Sequence, residues 1–192
     1  RSRCLADRVT RRIIFTNASQ VVTCAGAPRG RRGIEMTDAA VRTGVAIAVA
    51  GDRIAGVGAM ADVERDFPDA ETVDCAGRVV TPGLVDSHTH AVFGRPRFDE
   101  QEMRAAGAGY MEIAERGGGI HSSVRDLRAR SEDDLLALAR TRLQRIAGYG
   151  ATTVEIKSGY GLSVEDELKT LRVVARLQRE TPLRLIPTWL GG

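Results

Sequence analysis

Two histidines separated by one threonine, His88-Thr89-His90, are the residues whose types and spacing point to chemistry. Alternate side chains of a strand share a face and each residue advances about 3.3 Å, so the two imidazoles would root about 6.6 Å apart on one side. Both rings can then lean onto one cation, which zinc accepts at about 2.0–2.1 Å from imidazole nitrogen. Thr89 would face away. Asp86 has the same parity as the histidines and would be the carboxylate that fixes a ring tautomer. The plain alternative is a chance pair in a polar loop, but an apolar run, Val79-Val80 to Leu84-Val85, leads into it and reads as a buried strand. A catalytic zinc site takes three protein ligands and a water. The pair is therefore incomplete, and the remaining ligands and the acid–base group are expected beyond Gly192. A completed site of this kind lowers the pKa of water to about 7, producing hydroxide that can attack a C–N carbon.

The elements that would position these residues follow from pattern. Residues 9–78 are short apolar or alternating runs: Arg12–Asn17, Gln20–Thr23, Val45–Val49, Arg53–Val57 and Thr72–Asp74. Ala50-Gly51-Asp52-Arg53 is a hairpin signal and Asp62–Asp69 a short helical excursion ended by Pro68. Such strands predict a small β-sandwich-like domain over 1–79. From residue 80 the rhythm becomes strand, helix, strand, helix, strand. The spacing predicts a helix over Phe98–Arg116, broken near Gly107 and Gly109 and ended by Gly117-Gly118-Gly119. Another starts at the cap Ser131, with Leu135, Leu136, Ala139, Leu143 and Ile146 on its apolar stripe. A strand over Ala151–Ser158, a helix capped by Ser163 and a strand over Leu183–Leu190 complete the series. Parallel βα units mean a (β/α)8 barrel or an open doubly wound sheet. The barrel accounts for more, because polar residues gather at carboxyl ends of strands, where barrel sites lie. A barrel takes about 250 residues, so 80–192 is read as its first part, truncated after about three strands. Such a piece alone is expected to be inactive and poorly stable, with an unpaired sheet edge.

Composition narrows the classes. The 192 residues carry 28 Lys and Arg against 25 Asp and Glu, giving a net charge of +3. The charges are interspersed, which argues against nucleic acid as partner. The densest basic run, Arg29-Gly30-Arg31-Arg32-Gly33, reads as a mobile surface loop. Cys4, Cys24 and Cys75 form no C-x-x-C pair, and an odd, sparse set predicts reduced, partly buried thiols in a cytoplasmic protein. The opening Arg1-Ser2-Arg3 leads into no signal-like apolar run, and no segment has the length of a membrane span.

Pro82-Gly83-Leu84-Val85-Asp86-Ser87-His88-Thr89-His90, preceded by Gly51-Asp52-Arg53-Ile54, resembles the amidohydrolase superfamily. Ala91-Val92-Phe93-Gly94 to Arg97, Gly117-Gly118-Gly119-Ile120 and Val154-Glu155-Ile156-Lys157-Ser158-Gly159-Tyr160-Gly161 narrow the resemblance to the imidazolonepropionase family, over about Asn17 to Gly192. It implies metal-dependent hydrolysis of 4-imidazolone-5-propanoate to N-formimidoyl-L-glutamate in histidine breakdown, with one zinc or iron ion per site. It implies that His88 and His90 are the first two metal ligands, that Arg97 grips the propanoate carboxylate through paired hydrogen bonds, and that Tyr160 and, more weakly, Tyr110 contact substrate. The alternatives are another cyclic amidohydrolase, a nucleobase deaminase or a non-catalytic scaffold. The partner is a small molecule, with a homodimer as one candidate assembly. Lys157 closes the second barrel strand, unlike the metal-bridging lysine of some relatives, and reads as a structural ion pair or substrate-side contact. His121 reads as an exposed or hydrogen-bonded loop histidine, and the triglycine as a flexible loop, since no phosphate-loop Gly-Lys-Ser/Thr follows. Arg95-Pro96-Arg97 leaves open which arginine meets the substrate.

Overall fold

Short alternating strands separated by turn formers build the first part of the chain, and longer βα units the second. The structure is a computed structural model and describes residues 11–191. Arg1-Ser2-Arg3, Cys4 and Gly192 lie outside the described residues. The chain divides into two compact units, the first ending at Pro82 and the second beginning at Gly83.

The first unit contains β1 (Arg12–Thr16), β2 (Gln20–Val22), β3 (Val41–Arg42), β4 (Val45–Ala50), β5 (Arg53–Ala59), helix α1 (Met60–Asp66), β6 (Glu71–Asp74) and β7 (Val79–Val80). Two sheets result, ordered β5-β4-β1-β6 and β3-β2-β7. β4 and β5 are antiparallel across the expected hairpin, where Gly51 takes φ 62° without the steric cost a side chain would bring. Val63 of α1 joins Ile14, Ala46 and Ala48 in a core. The two-residue strand β3 escapes sequence reading because so short a run shows no period, and the single strand expected to run from Val79 to the histidines is broken after Val80, with β7 paired parallel to β2. The arginine-rich stretch is on the surface, but its donors are tied locally. Arg29 forks onto Glu35 with both contacts at 2.8 Å, and Arg31 donates to the carbonyls of Cys24 and Ala25. Cys75 is buried, whereas Cys24 is exposed rather than partly buried; both are free.

The second unit holds β8 (Leu84–Thr89), α2 (Phe98–Ala105), α3 (Tyr110–Glu115), α4 (Ile120–Ala129), α5 (Glu132–Gly148), β9 (Ala151–Lys157), α6 (Val164–Leu177) and β10 (Arg184–Thr188). Its sheet runs β10-β9-β8 with both pairings parallel. The helix predicted over Phe98–Arg116 is two helices, parted where Gly107 takes φ 94°. Ser131 accepts from the Asp134 N–H in a reciprocal capping box, and Ser163 accepts from the Asp166 N–H. Helix α4 was not anticipated. Its start is masked by the triglycine, whose last member, Gly119 at φ 74°, is the N-cap. Nor is the triglycine simply a flexible loop. A Cβ on Gly118 would lie 2.8 Å from Ile113 Cγ2 and 2.9 Å from the Ile113 carbonyl oxygen, so close packing requires glycine there.

Leu127, Leu135, Ala139, Leu143, Val154, Ile156, Val173 and Leu177 form the main core, between helices α4 to α6 and one face of the sheet. Leu143 is 1% exposed. Leu143→Ala in the full-length protein should lower stability by about 2–5 kcal/mol through lost burial and a residual cavity, read as a reduced denaturant midpoint. β8 departs from the buried strand expected of it: Leu84 is 56% and Val85 67% exposed. It is an edge strand, and α5 and α6 pack on β9 and β10 instead.

Candidate metal and substrate cleft

The direction in which His88 and His90 point is set by pairing rather than by simple alternation. In a parallel ladder, register partners share a face. Asp86 pairs with Val154, a core residue, but the register shifts before Thr89, which pairs with Ile156. One extra β8 residue is thus accommodated, as in a bulge. His88 and His90 thereby take the face of Glu155 and Lys157, while Asp86 remains on the face of Val154. This overturns the shared parity of Asp86 and the histidines. The Asp86 carboxylate accepts from the His88 backbone N–H at 3.3 Å, not from a ring.

His88 is exposed, and its ring centroid stands 5.9 Å from that of His90 at an interplanar angle of 75°. His90 is more enclosed. Its ring lies 4.9 Å from the Tyr160 ring, which is 6.4 Å from Phe93. Burial, then the neighbouring His88, hold the His90 imidazole below its ordinary pKa, favouring the neutral form that ligates metal. Its Nδ1 is buried and has no hydrogen-bond partner among the described residues. A buried lone pair or N–H without a partner is costly, and a cation at that nitrogen would satisfy it. No group of three or more potential ligands occurs among the described residues.

His90, Phe93, Arg95, Pro96, Arg97, Ser123 and Tyr160 line one cleft of about 270 Å³. It brings together three residues singled out from sequence: His90, Arg97 and Tyr160. Arg97 holds the N-cap position of α2, and its Nη1 is 3.6 Å from Oε2 of the buried Glu100. Glu100 in turn accepts from the Gly119 N–H at 2.7 Å. Arg95 is differently engaged: its guanidinium is paired with Asp99, and its backbone N–H donates to Asp126 at 2.7 Å. A larger cleft of about 540 Å³ adjoins along Arg95–Arg97. Its further arginines are spent locally, Arg116 on Glu112 and Arg125 on the Gly117 carbonyl.

Tyr110 opens α3, is 67% exposed and lies outside the His90 cleft. His121 is exposed in the first turn of α4, in a helix rather than a loop. Lys157 pairs with Glu155 at 2.5 Å. Burial opposes ionisation of Glu155, but Lys157, Thr188 and the Thr89 N–H together hold its carboxyl below the usual range. The Thr89 hydroxyl also donates to the Glu155 carbonyl at 2.6 Å, joining the tips of β8 and β9.

Sequence reading missed three residues that shape the cleft. Phe93 is one of its walls. Arg142 of α5 donates to the carbonyls of Ala91, Phe93 and Gly94 at 3.1, 2.5 and 2.7 Å and lies 3.5 Å over the Phe93 ring, fixing the segment between His90 and Arg97. Its signal was an arginine beside the buried Leu143 of a helix stripe. Glu167 of α6 is the third, a buried acid beside the turn that carries Tyr160.

No protein-family model matches the chain. It is 47% identical over 183 residues to the imidazolonepropionase of Symbiobacterium thermophilum, an alignment covering 94% of this chain and 43% of that protein. The corresponding figures are 46%, 95% and 44% for the Porphyromonas gingivalis imidazolonepropionase, and 47%, 93% and 41% for that of Agrobacterium fabrum. The chain thus spans less than half the length of these curated relatives. Among solved structures it resembles a triazine hydrolase from Arthrobacter aurescens, with TM-score 0.53 at 19% identity, covering 93% of this chain and 35% of that one. It also resembles A. niger ochratoxinase, with TM-score 0.54 at 15% identity, covering 94% and 31%. A mutant atrazine chlorohydrolase from Arthrobacter aurescens TC1, complexed with zinc and atraton, gives TM-score 0.53 at 18% identity, covering 92% and 35%. These three show a shared fold. Along nearly all of its length, the chain is related in sequence to imidazolonepropionases.

Proposed function

We propose that this relationship extends to activity: the full-length protein hydrolyses the cyclic C–N bond of 4-imidazolone-5-propanoate to N-formimidoyl-L-glutamate, in the cytoplasm. The observation that carries this reading is the meeting of His90, Arg97 and Tyr160 on one cleft. The uninterrupted order β10-β9-β8, all parallel, supports three successive strands of a (β/α)8 barrel, with residues 1–79 as the accompanying β-rich domain and 80–192 as the barrel's first part.

The residues fit a cation through the orphaned Nδ1 of a neutral His90 and the exposed imidazole of His88 beside it. The zinc of the chlorohydrolase complex accords with zinc here, and iron is the alternative. When bound, such an ion supplies Lewis-acid activation of water. His88 and His90 would hold it. Arg97, whose contact with Glu100 is a loose 3.6 Å, keeps donors for the propanoate carboxylate, whereas Arg95 is occupied by Asp99. Tyr160 and Phe93 wall the cleft beside His90 and limit water's approach to a bound ring.

Incubating full-length, metal-loaded protein with 4-imidazolone-5-propanoate should remove the imidazolone absorbance. Persistence of that absorbance with the metal retained would withdraw the assignment.

A further inference from the structure

Glu167, in the first turn of α6, is 3% exposed, and its carboxylate collects three backbone donors from one turn. The N–H groups of Gly159, Gly161 and Leu162 donate to it at 2.5, 2.7 and 2.8 Å. Arg128 of α4 holds the same turn by its carbonyls: Nε donates to Gly161 at 2.8 Å and Nη2 to Leu162 at 3.0 Å. Such outside support is needed, because Gly159 takes φ 116° and Leu162 φ 50°, and the latter is unfavourable for a residue with a side chain. Glu167 is not acting as the cap of its own helix, since Ser163 fills that place.

The clamped turn carries Tyr160, whose ring stands 4.9 Å from His90. Its backbone also lies against that histidine: a Cβ on Gly159 would be 3.6 Å from His90 Cε1. We infer that Glu167, assisted by Arg128, is a positioning residue for Tyr160, fixing the turn so that the phenol ring faces His90 at the cleft. Charge-assisted bonds in a buried place are well suited to this, because they are strong and directional where water cannot compete. The kinetic consequence rests on the proposed hydrolase reading, but the placement of Tyr160 does not.

The test uses the full-length protein. Glu167→Gln keeps the volume, removes the charge and turns an NH2 toward donors that need an acceptor. Peptide-resolved hydrogen exchange should then show residues 159–162 exchanging about tenfold faster or more, with β8 unchanged. In parallel, kcat/KM should fall about tenfold, but hardly further when Glu167→Gln is added to Tyr160→Ala, as expected of coupled residues. Unchanged exchange at 159–162 would overturn the inference, as would an undiminished loss in the Tyr160→Ala background, which marks a merely structural role. Arg128→Gln, at a half-exposed side chain, gives a second route should Glu167→Gln fail to fold. It should accelerate exchange at Gly161 and Leu162, and no acceleration there counts against the clamp. If the unaltered protein leaves 4-imidazolone-5-propanoate intact, the hydrolase reading fails while the exchange measurement still decides the placement.

Discussion

Purified full-length protein carrying His90→Ala is expected to lose its bound metal and at least about a thousandfold in kcat/KM, more than the 10–100-fold usual for residues one step removed from a metal. Elemental analysis by mass spectrometry checks the metal, and turnover of 4-imidazolone-5-propanoate the rate. His88→Ala should have the same effect on both, but the two variants should differ in stability. His88 is exposed, so its removal should leave the melting temperature nearly unaltered. His90 is packed against Tyr160, and its removal opens space there. A drop of about 1–2 kcal/mol is expected for His90→Ala when both variants are measured without metal. Full metal occupancy in either variant would remove the paired histidines from the site.

Arg97→Met should raise KM for 4-imidazolone-5-propanoate about a hundredfold with a smaller change in kcat, the pattern of a lost contact to a part of the substrate that does not react. Arg97→Lys should recover little of this, because an ammonium cannot form the two parallel bonds of a guanidinium. Arg95→Met is the instructive comparison. Arg95 lines the same cleft but is paired with Asp99, so its replacement should raise KM by no more than about threefold, in line with the small worth of exposed ion pairs. Steady-state kinetics of the three variants decide the matter. A larger KM effect at Arg95 would transfer the carboxylate contact to that residue.

Much of this could be read from residue pattern alone because the elements concerned are long or bounded by strong punctuation. The strands β9 and β10, the helices begun by Ser131 and Ser163, and the break at Gly107 each left a local mark. So did the histidine pair, since a one-residue spacing is meaningful on any strand. What was not legible depended on partners distant in sequence. Arg142 lies 48 residues or more from the carbonyls it gathers, and nothing near it announces them. Helix α4 was hidden by three glycines that look like a linker yet are demanded by packing against Ile113. The burial of β8 was overread because apolar composition does not say whether a strand is central or at an edge.

The displaced register in β8 means that this strand is keyed to its neighbour separately at Val85–Asp86 and at Thr89. Its root and its tip therefore have independent phases. A strand in strict alternation would set the Asp86 side chain and the two imidazoles on one face; this one sets them on opposite faces. The apolar root can therefore drift under selection for sheet stability without rotating the histidines, and the tip can be retuned without disturbing the root. The histidine pair is insulated, by the one residue accommodated between Asp86 and Thr89, from changes in the strand that carries it.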